Sequence, residues 1–378
     1  MQNCRVTYII RRAKWKSILC SDDVKDKNNE PEISIVVPIV NEIEELFGFL
    51  ENLAAQKDIH FQLLVVDGGS TDGSVEYLQQ QQLIPNLLLV QGPTGRGRQL
   101  NQGARAAAGD YLLFLHVDSR FADPLALKKS LALLQRTGST RVAGHFALSF
   151  RRTTGDRQLG YYFYEWKART GRPETIHGDQ GFLLPRQLFD GLGGFREDLP
   201  VMEDTDLAER LRQDAQWQLL PAVINTSARR FEVEGLWQRQ LLGALLMCFR
   251  SIGWNEFFVQ APALYRQQKT TSELRLCPFF KLILDLLNDL PRKERWRVWS
   301  ACGSYVRGHA WQIFLFLDVW RTFRQGRPVG SGALRQLAFW EPVFDFLTAN
   351  PIGQFTAALV LRCWFAGCYS WLQRKEGK

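Results

Sequence analysis

The sequence predicts an α/β protein: an open, mostly parallel sheet flanked by helices, with a mainly α-helical C-terminal extension. Three observations carry that expectation. Between residues 32 and 118, short β-branched or apolar runs alternate with segments of helical periodicity, the pattern of right-handed βαβ units. Three of those runs end on or just before Pro38, Asp67 or Asp118. Beyond residue 265, surplus basic charge and seven of the 12 Trp collect in one segment.

The elements follow in order. Ile33-Ser-Ile-Val-Val37 reads as a buried parallel strand stopped by Pro38. Asn41 is placed to N-cap a helix, with Glu44 completing a capping box. Ile43, Leu46, Phe47, Leu50 and Leu53 then give that helix one apolar face. Phe61 to Val66 is the second strand, ending on Asp67, and a Gly-Gly-Ser-Thr-Asp-Gly turn leads into a helix from Ser74 to Gln82. Leu87 to Val90 is the third strand, Arg98 to Ala108 the third helix, closed by Gly109, and Tyr111 to Leu115 the fourth strand, running into His116-Val-Asp118. In open α/β sheets ligands bind beyond the carboxyl ends of the strands. Pro38, Asp67 and Asp118, 29 and then 51 positions apart, are therefore expected to converge on one crevice.

Composition bounds the class. A chain of 378 residues, 46% hydrophobic and 23% charged, is neither disordered, collagenous nor a multi-span membrane protein, and it has room for roughly two or three domains. The net charge of +8 is unevenly spread: residues 1–30 carry net +3, residues 265–378 net +9, and the stretch between them net −4. This sets the expected divisions: a basic N-terminal arm over 1–31, an α/β domain over 32–264, and a basic, Trp-rich helical extension over 265–378. Seven Cys without a C-x-x-C pair point to neither a disulfide framework nor a zinc site, so a reducing compartment is the default. The apolar run Val6 to Ile10 is too short for a secretory h-region; a transit peptide, a basic arm and a misassigned start codon all stay open.

Phe355 to Leu372 approaches a membrane span in length but holds Arg362 near its centre, which costs about 2.5–3.5 kcal/mol on insertion scales. Trp364, Tyr369 and Trp371, followed by Arg374 and Lys375, suit a helix lying at a bilayer surface; a buried helix and a true span are the alternatives. The basic run Arg292 to Arg297, with Trp296 and Trp299, comes without a nucleic-acid motif, so no nucleic-acid partner is expected.

Five clusters have the composition to carry chemistry. Asp67-Gly-Gly-Ser-Thr-Asp-Gly73 is neither a P-loop nor a dinucleotide fingerprint. It reads either as a turn capped by Ser70 or Asp72, or as a nucleoside site in which Asp67 bonds a ribose and Gly69 lets a ligand approach the backbone. His116-Val-Asp118 ends an apolar strand; Asp118 either caps the next turn or ligates a divalent cation together with phosphates. Glu203-Asp-Thr-Asp206 opens an amphipathic helix, where first-turn acids complement the dipole. Three acids in four residues exceed what capping needs, and burial with mutual repulsion is expected to raise one toward a general base. Thr175-Ile-His-Gly-Asp-Gln-Gly181 offers His177, Asp179 and Gln180 to a hydroxylated acceptor, against a structural reading for a lone His. Arg229-Arg230-Phe231 suits a diphosphate or a solvated turn equally.

Taken together, these residues resemble the family 2 glycosyltransferases, with the GT-A nucleotide-diphospho-sugar-binding fold. The landmarks are Val37-Pro-Ile-Val-Asn-Glu42, Leu63 to Gly73, Gly95-Arg-Gly-Arg-Gln-Leu-Asn-Gln-Gly103, Gly109 to Asp118, His177 to Gln180, Gly193-Gly-Phe195 and Met202 to Asp206, in order over roughly residues 32–240. The set is most similar to a bacterial subgroup associated with radical-SAM or selenoprotein genes; the last third has no recognised counterpart.

The resemblance implies an inverting transfer of a sugar from a nucleotide-diphosphate donor to a hydroxyl acceptor. It places Pro38, Asn41, Glu42, Asp67, Gly69, Arg98, His116 and Val117 around the donor, and Mg²⁺ or Mn²⁺ on Asp118. Asp204 is the implied base within the Glu203-Asp204 pair. His177, Gly178, Asp179 and Gln180 fall on the acceptor side, with Arg229 and Arg230 near the diphosphate. Two departures stand out: His116 replaces the first Asp of the metal motif, and Phe231 a Trp. A degenerate nucleotide-sugar-binding scaffold or sensor is the alternative; nucleotidyl transfer would need a Gly-rich loop that Pro38-Ile-Val-Asn-Glu42 does not provide. The basic extension points to a cytoplasmic protein peripheral on the inner face of the membrane, with a lipid-linked acceptor in cell-envelope glycan synthesis.

Overall fold

The structure, a computed structural model, describes residues 30–199, 201–268 and 273–376, so the arm expected over 1–31 lies almost wholly outside the described residues. The chain divides into two compact units. One runs to Arg151 and resumes over Lys167–Ser227; the other joins Arg152–Trp166 to the chain from Ala228 onward. The sequence placed a division at 264/265 instead; here the second unit starts at Ala228 and takes a segment from between two strands of the first.

The elements up to Ser227 are β1 (Ile33–Ile39), α1 (Ile43–Ala54), β2 (Phe61–Asp67), α2 (Ser74–Gln80), β3 (Leu87–Gln91), α3 (Arg96–Ala106), β4 (Tyr111–Phe114), β5 (Arg120–Phe121), α4 (Ala126–Arg136), β6 (Val142–Arg151), α5 (Leu159–Lys167), β7 (Phe182–Pro185), α6 (Arg186–Gly191), α7 (Glu203–Asp214) and β8 (Gln216–Ser227). Except for α5, which lies largely in the second unit, they build the first. Eight strands form one sheet in the order β3-β2-β1-β4-β7-β6-β8-β5. Strands β1 to β4 pair parallel, β7 runs antiparallel to both β4 and β6, and β6 and β8 are parallel. This is the expected open, mostly parallel sheet flanked by helices. Its central strands are buried on both faces, Val36, Leu64 and Leu112 on one and Ile35, Leu63 and Leu113 on the other, which is why they read as continuous apolar runs.

Three local expectations are corrected. Pro38 does not stop β1: the strand continues to Ile39, with Pro38 opposite Val66. Val36 gives its carbonyl to Leu115 on the β4 side and Ile39 to Gly68 on the β2 side. By alternation, Pro38 faces the β4 side, past the last ladder pair Val36–Phe114, where no ladder donor is needed. Asn41 is not the N-cap of α1, and no capping box forms. It is left-handed at φ 56°, and Ser74 Oγ and Asp72 Oδ2 take the N–H groups of Glu42 and Ile43 instead. Finally, α3 begins two residues before Arg98, because Gly95 at φ 135° turns the chain early. The helix lies directly on the sheet through Gly103, where a Cβ would sit 2.4 Å from Val36.

The second unit is helical: α8 (Arg229–Glu234), α9 (Leu236–Ser251), α10 (Glu256–Gln267), α11 (Cys277–Asp289), α12 (Arg292–Gly308), α13 (Trp311–Arg324), α14 (Arg335–Thr348) and α15 (Pro351–Glu376). Its larger core gathers Phe257, Phe279, Phe280, Trp299 and Phe365; a smaller one joins Tyr162 and Trp166 of α5 to Trp311, Leu315 and Val319 of α13. By length and composition α15 is apolar enough to cross a membrane. It is not the one-sided helix expected at a bilayer surface. Ala358, Phe365 and Leu372, seven apart, face inward, while Phe355, Val360, Trp364 and Trp371 are exposed.

Candidate active site

The carboxyl ends of β1, β2 and β4 do converge. Asp67 closes β2 and folds its own loop: its carboxylate accepts the N–H groups of Gly69 at 3.1 Å and Ser70 at 3.0 Å. Gly69, at φ 102°, makes that turn possible. Asn41 stitches the β1 loop to it, receiving Thr71 N–H at 2.8 Å and donating its own N–H to Ser70 Oγ. Buried Gln99 bonds the carbonyls of both Ile39 and Val66, fixing the two strand ends from below. Asp67 is therefore the organiser of the turn as well as its carboxylate, and an ionised carboxylate with about four lone-pair sites keeps acceptor capacity beyond those bonds.

Past β4, Val117 is buried and Asp118 partly so. Thr226 Oγ1 donates to Asp118 Oδ2 at 3.2 Å, while Oδ1 is buried without a hydrogen-bond partner. Burial and then the neighbouring Glu45 carboxylate push the Asp118 carboxyl up, against Thr226, Ser227 and Arg151. Glu45 is itself held by Arg120 at 2.9 Å and Arg151 at 3.0 Å, two cations that the sequence reading did not single out. A buried carboxylate oxygen with open lone pairs fits a divalent cation. Among the described residues no three His, Cys, Asp or Glu side chains form a metal cage; Mg²⁺ typically takes one or two carboxylates and fills its shell from phosphates and water.

The acids of α7 lie where the sequence put them. Left-handed Met202, at φ 66°, turns the chain into the helix. Asp204 Oδ2 accepts Gly178 N–H and Oδ1 accepts Thr205 N–H, both at 2.8 Å. Gly178 is required for that approach, because a Cβ there would lie 2.8 Å from Asp204 Oδ2. The expected raised acid is not Asp204. Burial pushes its carboxyl up, but Arg96, His177 and the two amides outweigh it and hold it below the usual range. The raised acid is Glu203, driven by burial. Asp206 is committed to Arg210, which pins the Leu192 and Gly194 carbonyls.

Arg96, missed in the sequence, is the hub. Its Nε lies 3.1 Å from Glu203 Oε1 and its Nη2 4.0 Å from Asp204 Oδ2. The same guanidinium lies against His116 Nε2. Only about 10 Å³ of cavity remains among Arg96, His116, Gly178 and Asp204. Arg98, the cation that the motif favoured, is exposed with its stem against Gly95. The signal for Arg96 was its place one residue after the glycine that starts α3.

On the acceptor side, burial holds His177 below its ordinary range, against the opposing pull of Asp204. Gln180 is buried and engaged at both ends: its amide oxygen meets His145 Nδ1 at 2.8 Å and its nitrogen bonds the Thr175 carbonyl. It positions the segment rather than facing a ligand. Arg229 and Arg230 are exposed in the first turn of α8, in the second unit.

Asp179 has a buried Oδ1 without a partner, and burial followed by Asp204 and Asp118 pushes its carboxyl up to about 7. An unfolded Asp releases its proton near 3.9. Between those values only the folded chain keeps the proton, so folding stability falls as pH rises from about 4 to about 7 and is then flat, a loss on the order of 2–4 kcal/mol. Asp179→Asn removes that loss. With EDTA present, its melting temperature is expected to exceed wild type clearly at about pH 8 and little at about pH 4.5; an equal gain at both would show that the buried carboxyl is not its source.

Residues 34–193 match the family model "Glycosyl transferase family 2". An uncharacterized glycosyltransferase of Haemophilus influenzae is 27% identical over 187 residues, 48% of this chain and 62% of that protein. A PGL/p-HBAD biosynthesis glycosyltransferase of Mycobacterium bovis is 36% identical over 103 residues, 25% of this chain and 40% of the other. The chain thus spans less than two thirds of the length of either relative. Among solved structures, a mannosyltransferase from Pyrobaculum calidifontis in complex with GDP-Man and Mn²⁺ is 18% identical, with a TM-score of 0.45 over 91% of this chain and 90% of that one. Residues 34–193 of the α/β unit, which hold Asp67 and Asp118 but stop short of Asp204, are thus similar to the family 2 glycosyltransferases.

Proposed function

We propose that the protein is an inverting glycosyltransferase, moving a sugar from a nucleotide-diphosphate donor to a hydroxyl acceptor. The observation that carries the reading is Asp204: a carboxylate held ionised and aimed by two amides at the floor of the cleft. In that state it removes the proton of the acceptor hydroxyl as the oxygen attacks the anomeric carbon opposite the leaving diphosphate. The Asp67 turn, with Pro38, Asn41, Glu42, Gly69, His116 and Val117, receives the nucleotide; Arg98 is assigned to it by motif. His177, Gly178 and Asp179 shape the acceptor side, and Arg229 and Arg230 are assigned to the diphosphate by motif alone. Asp118 would hold Mg²⁺ or Mn²⁺, which when bound offsets charge on the departing nucleoside diphosphate. Within family 2, the landmark set supports the bacterial radical-SAM- or selenoprotein-associated subgroup. The +9 charge of residues 265–378 supports a lipid-linked envelope acceptor and a place on the inner face of the cytoplasmic membrane.

One observation favours the scaffold reading: Arg96 fills the space between His116 and Asp204. Two measurements separate the readings. Calorimetry with UDP and GDP should show Mn²⁺-dependent binding that weakens at least tenfold in Asp118→Ala, about 1.4 kcal/mol; unchanged affinity would remove Asp118 from the metal site. Slow release of nucleoside diphosphate from a panel of donor sugars, absent in Asp204→Asn, is expected of an enzyme. Binding without any release from any donor would favour the scaffold.

A further inference from the structure

The second unit contains a cavity of about 300 Å³ whose chemistry the transferase reading does not use, a size at the lower limit of small-ligand pockets (about 300–1,000 Å³). It lies between the start of α5 and the loop after α13, and three of its lining residues are arginines: Arg152, Arg157 and Arg327. Arg157 is a fixed part of the wall. Its guanidinium sits over the rings of Tyr162 at 5.1 Å and Phe323 at 4.8 Å, and donates to the carbonyls of Arg327 at 2.8 Å and Phe323 at 3.3 Å. Tyr162 fastens the same loop, donating its hydroxyl to the Arg327 carbonyl at 3.1 Å. The lining is therefore set before any ligand arrives.

Arg152 differs. Its side chain is 14% exposed, its guanidinium lies 5.0 Å over the Tyr161 ring, and one nitrogen bonds the Asp156 carbonyl. The other, Nη1, is buried without a hydrogen-bond partner, and the nearest carboxylate, Asp156 Oδ1, is 3.7 Å away, beyond bonding reach. Arg327 is exposed at the rim. The lining itself sets three cations against one acid, Glu165, with Asp156 and Glu232 close by. A planar guanidinium with donors to spare, held beside a second, matches the geometry of a phosphate oxygen pair.

We propose that this pocket is an anion site for a phosphate group, with Arg152 and Arg327 supplying the donors and Arg157 shaping the wall. The phosphate has two sources: a soluble phosphate ester, or a lipid headgroup. The second is served by α13, which ends at the pocket and exposes Ile313, Phe316, Leu317 and Trp320, with Arg324 lying 5.1 Å over the Trp320 ring. The site is independent of the transferase reading and stands or falls separately from it.

The test uses the full chain and the double variant Arg152→Gln/Arg327→Gln, with Arg321→Gln, an exposed cation of α13 outside the pocket, as control. Binding of inorganic phosphate is read by calorimetry, and flotation with phosphatidylcholine vesicles with and without phosphatidylglycerol. The expected result is phosphate binding, or phosphatidylglycerol-dependent flotation, that falls at least tenfold in the double variant and holds in Arg321→Gln. Loss of flotation assigns the lipid headgroup; loss of phosphate binding with flotation unchanged assigns the soluble ester. Two outcomes overturn the proposal: a double variant that matches wild type in both assays, or citrate binding as tightly as phosphate. Should the double variant fail to melt cooperatively, Arg327→Gln alone, at an exposed position, carries the same test.

Discussion

Asp204→Asn is expected to lower turnover by about 10²–10⁴-fold, the usual range of general-base assistance, while nucleoside diphosphate binding changes little. Both oxygens of Asp204 accept backbone N–H groups, from Gly178 and Thr205. An Asn side chain can accept only one of the two through its carbonyl oxygen, and turns an NH₂ toward the other. The variant therefore carries a structural cost beside the chemical one, and the two separate by readout. Lost proton acceptance falls on kcat alone, whereas a displaced Gly178 loop also moves KM for the acceptor and the melting temperature. Asp204→Glu keeps the charge but lengthens the reach; recovery of part of the activity in it would argue that the proton, rather than the loop, is at issue. Full turnover in Asp204→Asn would remove Asp204 from the base position.

The alternation of the first four strands with helices and the convergence of Pro38, Asp67 and Asp118 were legible because each depends on local pattern: apolar runs of strand length, helical spacing, and the rule that places ligand residues at carboxyl ends. What escaped the sequence depends on partners far along the chain. The capping box at Asn41 failed because Asp72 and Ser74, about thirty residues on, reach the α1 amides first. Gln180 looked like an acceptor contact, but His145, 35 positions earlier, takes its amide oxygen. Arg98 came from the family motif, whereas Arg96, two residues earlier and about 200° around the helix, is the cation that meets Glu203 and His116.

Arg96→Met is the variant with the second-largest expected effect, and its signature is the pH profile. Arg96 is the leading influence that holds Asp204 low, and it lies beside buried Glu203. Without the cation both carboxylates lose their counter-charge while burial and mutual repulsion stay, so the Asp204 carboxyl rises. A base must be deprotonated to act. The acid limb of kcat/KM is therefore expected to move to higher pH, each unit of displacement costing about tenfold in rate below the new value and little well above it. Arg96 is 39% exposed, so the stability loss is the modest one of a screened pair, about 1 kcal/mol. Arg96→Lys keeps a charge near both acids and should return the limb most of the way. Release of the side chain also opens the space between His116 and Asp204, so at high pH the Met variant is expected to bind donor at least as tightly as wild type. A uniform loss of rate at all pH values, with the limb unmoved, would make Arg96 a donor contact instead of the group that sets the charge state of Asp204.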